Sequence, residues 1–181
     1  MASHIASLIM EAMNAECCQN FAGPKHTLVD FHRMMTRLVE MEDSQYSYRN
    51  VLAAYTSGGI LAGICVAYDG GKLHQLRRRF DEAALEAFGI DYTGMTDETE
   101  DGEFYIDSLA VSSNFRGKGI ASQLLQATIE RGAELGIPTV GLLVDKGNPK
   151  AEALYQRLGF VYVNDSTWGG HPMRHLQYKH D

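Results

Sequence analysis

Residues 103–135 constrain the chain most. "EFYIDSLAV" (103–111) reads as a strand, "NFRGKG" as a loop, and residues 119–135 as a helix with Leu125, Thr128 and Ile129 inward, ended by Gly136 and Pro138. A strand that passes through a glycine loop straight into a helix leaves that loop at the helix N-terminus. N–H groups there lack partners and carry a partial positive charge. The glycines let a bulky anion come close, and Arg116 and Lys118 add full charges. The loop therefore reads as a cradle for phosphate or pyrophosphate, or as a plain strand-to-helix turn.

Around this unit the chain alternates helix and strand signals. Ile5, Leu8, Ile9, Ala12 and Met13 make one helical face, which Gly23-Pro24 breaks; Leu28, Phe31, Met35 and Leu38 make a second. In "NVLAAYTSGGILAGICVAYDGG" two apolar runs, 51–55 and 60–68, flank a Ser-Gly-Gly turn and predict a hairpin. Residues 72–88 return to helical spacing. Between Asp91 and Asp107 stand seven acidic residues and no basic one, either a solvated excursion or a surface for a cationic acceptor. Neutralising Glu98, Glu100 and Asp101 together would test the second reading. "TVGLLVD" is a continuous apolar run, as in a strand covered on both faces. Asn148-Pro149 starts a helix that Gly159 ends, and "FVYV" and "MRHLQYKH" predict two last strands.

The 181 residues suit one domain with no linker or repeat. A formal charge of −7 disfavours nucleic acid and anionic membranes as partners, and no apolar run approaches the roughly 18 residues of a membrane span. The first residues lack a basic leader. Cys17, Cys18 and Cys65 form no CxxC pair, so they read as reduced, buried thiols of a cytoplasmic chain. No metal is expected, because His171, His175 and His180 lack ligand spacing.

GxxxxGK[ST] is absent. Residues 117–122 approach the dinucleotide fingerprint, but five residues separate its first glycine from the strand. A third pattern fits better. "LAVSSNFRGKGIASQLL" resembles the Q/R-x-x-G-x-G/A pyrophosphate loop of the GNAT superfamily of acyl-CoA N-acyltransferases, through Arg116, Gly119 and Ala121. "NPKAEALYQRLGF" resembles the same family's downstream signature, through Asn148, Ala151, Leu154, Tyr155, Gly159 and Phe160. The resemblance covers residues 103–163.

The resemblance implies an α/β fold with a mixed, largely antiparallel sheet flanked by helices and splayed between its fourth and fifth strands. Residues 1–181 would be a single N-acetyltransferase domain that lacks the family's first strand and carries an insertion at about 70–102. The missing strand would expose a sheet edge that a second copy could cover, as a homodimer. Acetyl-CoA would be the acyl donor and an amine the acceptor, making the chain an acyltransferase that moves a group other than aminoacyl. Leu109, Ala110 and Val111 would line the pantetheine arm, the first and last through their backbones. Arg116, Gly117, Lys118, Gly119, Ile120 and Ala121 would hold the pyrophosphate. Asn148 and Ala151 would meet the pantetheine, and Tyr155 would face the thioester sulfur as general acid.

An alkylammonium has a pKa near about 10, so a base must take a proton before it attacks. Strand alternation predicts Glu103, Tyr105, Asp107 and Leu109 on one face, with Asp107 favoured as the base over Glu103. Two other readings remain open: a non-catalytic CoA-binding sensor, and a nucleotide-dependent oxidoreductase using the glycine loop.

Overall fold

The computed structural model describes residues 1–181. Three helices lead: α1 (Ala2–Met13), α2 (Ala15–Ala22) and α3 (Leu28–Glu40). The first helical run stops at Asn14, well before the expected break at Gly23-Pro24. Asn14 has φ 75° and is the one non-glycine residue with positive φ; asparagine is among the side chains that tolerate it. Its Oδ1 accepts the Cys17 N–H at 2.8 Å and so caps α2. Helix α3 opens with a reciprocal capping box between Thr27 and Asp30.

The hairpin follows as expected, β1 (Val51–Tyr55) and β2 (Leu61–Asp69). Next come α4 (Leu73–Phe88), β3 (Glu103–Val111), α5 (Ile120–Glu134), β4 (Thr139–Asp145) and α6 (Pro149–Arg157). The last two strands, β5 (Val161–Trp168) and β6 (His171–Lys179), are longer than their apolar runs. Gly169 and Gly170, both at positive φ, make the two-residue turn. Polar residues such as Asn164 and Asp165 pair along an exposed edge strand, where hydrophobic patterning is uninformative.

The six strands run in the order β1-β2-β3-β4-β6-β5. Only β3 and β4 are parallel, joined by the α5 crossover. Helices α1 to α4 cover one face, packing on Ile64, Val66 and Ala110. Helices α5 and α6 cover the other, packing on Cys65, Ala67, Phe104, Ile106, Leu142 and Leu176. Leu125, Thr128 and Ile129 are buried as expected, and β4 is covered on both faces.

Two irregularities prepare the site. The β3–β4 ladder pairs Glu103 with Thr139 through Ile106 with Leu142 and then stops, so the later residues of both strands part. These are the strands expected to splay. The second irregularity corrects a sequence expectation. Ala67 pairs with Ile106 and Val66 with Ser108, so Asp107 is an extra residue in a β-bulge. The bulge reverses the alternation. Tyr105 packs with Tyr68 and Leu73 on the α4 side, whereas Leu109 packs with the α5–α6 cluster, and the four residues do not share a face.

Candidate active site

The glycine loop sits where the strands have parted. Gly117 and Gly119 have φ 76° and 78°, and a Cβ at either would meet open space. Gly119 caps α5 with no side-chain hydrogen bond, and the first helical bond runs from Gln123 N–H to Gly119 O at 3.1 Å. The N–H groups of the first turn therefore face outward without partners. Arg116 Nε donates to Val111 O at 3.1 Å, and its guanidinium lies 3.7 Å from Glu11. Lys118 rests over the Phe115 ring at 5.5 Å. Both cations are exposed and held only by weak surface contacts, two for Arg116 and one for Lys118, which an anion can outcompete.

Beyond the bulge, β3 offers backbone to the gap. Ser112 N–H donates to Ala62 O at 2.8 Å, on the β2 side. By strand alternation Ala110 also turns its backbone to β2, and Leu109 and Val111 turn theirs to the parted side. On the far wall Asn148 caps α6, its Oδ1 accepting the Ala151 N–H at 3.3 Å, which leaves its amide N–H₂ free. Tyr155 packs edge-on against Phe160 within the α5–α6 cluster. Its hydroxyl has no hydrogen-bond partner in the protein. Burial, with a smaller effect from the nearby Cys65 thiol, pushes the phenol up to about 12, so it stays protonated at neutral pH.

Asp107 stands on the opposite face of the sheet. Its Oδ2 accepts the Tyr68 hydroxyl at 2.8 Å and its Oδ1 accepts the Ser108 hydroxyl at 3.0 Å. Gln45 Nε2 donates to the Tyr68 oxygen at 3.1 Å and to Glu98 Oε1 at 3.3 Å. With that lone pair taken by an amide N–H, the phenolic proton goes to Asp107. Burial raises the Asp107 carboxyl above its ordinary value, against the pull of the Tyr68 and Ser108 hydrogen bonds and of Arg77. A raised carboxylate with a fixed donor suits a proton acceptor. Glu103 serves another purpose. It is fully buried and takes hydrogen bonds from Thr99 at 2.7 Å, His175 at 2.6 Å and Gln177 at 2.7 Å.

The acidic run is thus no uniform solvated excursion. Asp97, Glu100 and Asp101 are exposed, but Glu98, Glu103 and Asp107 turn inward. Arg77 holds Glu98 in a buried ion pair, and burial plus the Asp107 charge push Glu98 up to about 7. Sequence reading missed Arg77, Gln45 and Tyr68. A signal for one was present: Arg77 interrupts the apolar stripe Leu73, Phe80, Ala84, and a cation there demands a buried carboxylate. Gln45 and Tyr68 gave none, because only tertiary folding brings them to Asp107. The three cysteines are free and buried, with burial pushing Cys17 and Cys65 up to about 12 and Cys18 to about 11. No helix is long and apolar enough to cross a membrane.

The model of the acetyltransferase (GNAT) family matches residues 29–160. The mycothiol acetyltransferase of Propionibacterium freudenreichii subsp. shermanii is 36% identical over 86 residues, which are 46% of this chain and 27% of that protein. The chain spans less than half the length of the curated relatives it matches, with 27% and 40% for two of them. A crystal structure described as an acetyltransferase superposes with TM-score 0.81 at 26% identity, covering 98% of this chain and 94% of the other. An N-acetyltransferase from Staphylococcus aureus Mu50 shares the fold, with TM-score 0.80 at 20% identity over 97% and 94% of the two chains. With its glycine loop, its parted strands and the family match over residues 29–160, this chain belongs to the acetyltransferase (GNAT) family.

Proposed function

We propose that the chain is an acetyl-CoA-dependent N-acetyltransferase that moves acetyl directly to a primary amine of a small molecule or peptide, with no covalent acyl-enzyme. The observation that carries this reading is the opening between β3 and β4 beside an uncapped, glycine-led α5 N-terminus, in a member of this family. Arg116, Gly117, Lys118, Gly119, Ile120 and Ala121 bind the pyrophosphate through backbone N–H groups and two cations. Leu109 and Val111 hydrogen-bond the pantetheine on one side and the Asn148 amide does so on the other, where Ala151 adds contact. Asp107 accepts the proton of the attacking amine, and Tyr155 donates its proton to the departing thiolate. Residues 1–181 act as a single domain, and residues 70–102, which hold α4 and the acidic loop, are an insertion. Reduced cysteines support a cytoplasmic setting, and the open edge of β1 supports a homodimer.

Calorimetric titration with acetyl-CoA, beside CoA and NADH, tests the donor site on the wild type and on Gly119→Trp. Saturable acetyl-CoA binding weakened at least about 100-fold by the tryptophan is expected, because an indole at an N-cap closes the approach to the N–H groups. Preference for NADH, or binding that ignores the substitution, overturns the reading.

A further inference from the structure

Three tyrosines and two carboxylates meet on the α4 side of the sheet where β3 leaves β4. Tyr46 follows α3, Tyr68 lies on β2, Tyr105 and Asp107 on β3, and Glu98 on the loop before it. The Tyr68 hydroxyl is committed to Asp107 and Gln45. Those of Tyr46 and Tyr105 are not: the residues are 4% and 5% exposed, and neither hydroxyl has a hydrogen-bond partner in the protein. Neither oxygen is sealed from solvent, unlike Arg77 Nε, so two otherwise buried side chains end in hydroxyls that an entering group can reach. They are placed for a group that the chain does not supply.

The charges around them have one sign. Burial and then the carboxylates of Asp107 and Glu98 raise Tyr46, Tyr68 and Tyr105. Arg77 is the cation that bears on Asp107, and its outer donors are taken. Nη1 donates to Met95 O at 3.1 Å and to Asp97 at 3.2 Å; Nη2 donates to Thr96 O at 3.2 Å and to Glu98. Its Nε–H is sealed from solvent. On the neighbouring strand His175 is bound to Glu103, and His171 faces Asp145 at 3.9 Å. An entering molecule meets oxygen acceptors and no free cation.

We propose that this cluster receives a primary amine with no carboxylate beside its nitrogen, and that the α-amine of a free amino acid is rejected. The proposal rests on the N-acetyltransferase reading. A primary ammonium has three N–H donors, which the Asp107 carboxylate and the Tyr46 and Tyr105 oxygens can receive. An α-carboxylate two bonds from that nitrogen would be carried toward Asp107 and Glu98 with no cation to meet it. Alkylamines, polyamines, aminosugars and peptide N-termini pass this filter, because none has a carboxylate on the carbon bearing the amine.

The test uses pairs in which the amino acid has no second amine: phenethylamine and phenylalanine, tyramine and tyrosine, glycinamide and glycine. Thiol release from acetyl-CoA is measured for each, with binding by calorimetry in the presence of CoA. The carboxylate-free member is expected to be used at least about tenfold better by kcat/KM. Tyr46→Phe should raise KM for the amine several-fold with little change in kcat, a split that a merely structural role would not give. Glu98→Gln should narrow the preference within each pair. Equal or better use of the amino acids overturns the proposal, and so does neither turnover nor binding of any amine. In that last case acetyl-CoA binding in the same sample leaves the donor reading intact, and its absence shows that the underlying reading has failed instead.

Discussion

The two ends of the parted strands are built in opposite ways. At the glycine loop every functional group is exposed, comes from one continuous stretch and relies on backbone N–H groups. At Asp107 the groups are buried, come from five separate segments and rely on side chains that fix one another. The first end handles a ligand whose anionic part is constant, so a local motif suffices. The second gathers charged and phenolic groups from distant segments, and only tertiary folding can do that.

Five substitutions or measurements would break or sharpen this contrast. The largest effect is expected for Asp107→Asn: kcat should fall by about 10²–10⁴-fold while acetyl-CoA affinity stays put, as read by thiol release and calorimetry. Undiminished turnover would remove Asp107 from the chemistry. Arg77→Met comes next. Stripping the cation from the buried pair strands Glu98, and stability should drop by about 3–5 kcal/mol in urea denaturation. Arg116→Ala, at the exposed end, should cost less than about 1 kcal/mol. Tyr68→Phe deletes one donor to Asp107, which raises that carboxyl further, so the acid limb of the kcat/KM profile should move to higher pH. The smallest effect is on stability against pH. Glu98 is raised from 4.5 to about 7, so the native state holds that proton more tightly than the unfolded chain. The resulting stabilisation is complete below pH about 4.5 and is lost as pH rises through about 7. The urea midpoint should decline across that window, and Glu98→Gln should flatten the decline.

The sequence made the exposed end legible and left the buried end mostly dark. Arg116, Gly119 and Ala121 lie in one spaced motif, and the elements flanking them follow from apolar periodicity alone. The start of β4 was also readable, because Gly136 and Pro138 end the helix before it. The bulge at Asp107 was not. Nothing local marks an extra residue in a strand, and its cause is how β2 and β3 pair. The break at Asn14 was missed for a related reason: asparagine accepts left-handed backbone, but its role there appears only once its side chain caps α2. Tyr46, Gln45 and Tyr68 were invisible as a group, since the segments that carry them meet Glu98 and Asp107 only in the folded chain.

Glu103 and Gly141 carry one last implication. The carboxylate of Glu103 crosses directly over Gly141 to reach His175 and Gln177 on β6, and any Cβ at position 141 would fall inside it. The two positions are therefore locked in order over evolutionary time. Position 103 can change first, leaving a viable if weakened neighbour. A side chain at position 141 would push the Glu103 carboxylate off His175 and Gln177 unless 103 had been shortened first. A lineage that keeps this glutamate also keeps this glycine, so the two should vary together among descendants although neither touches a substrate.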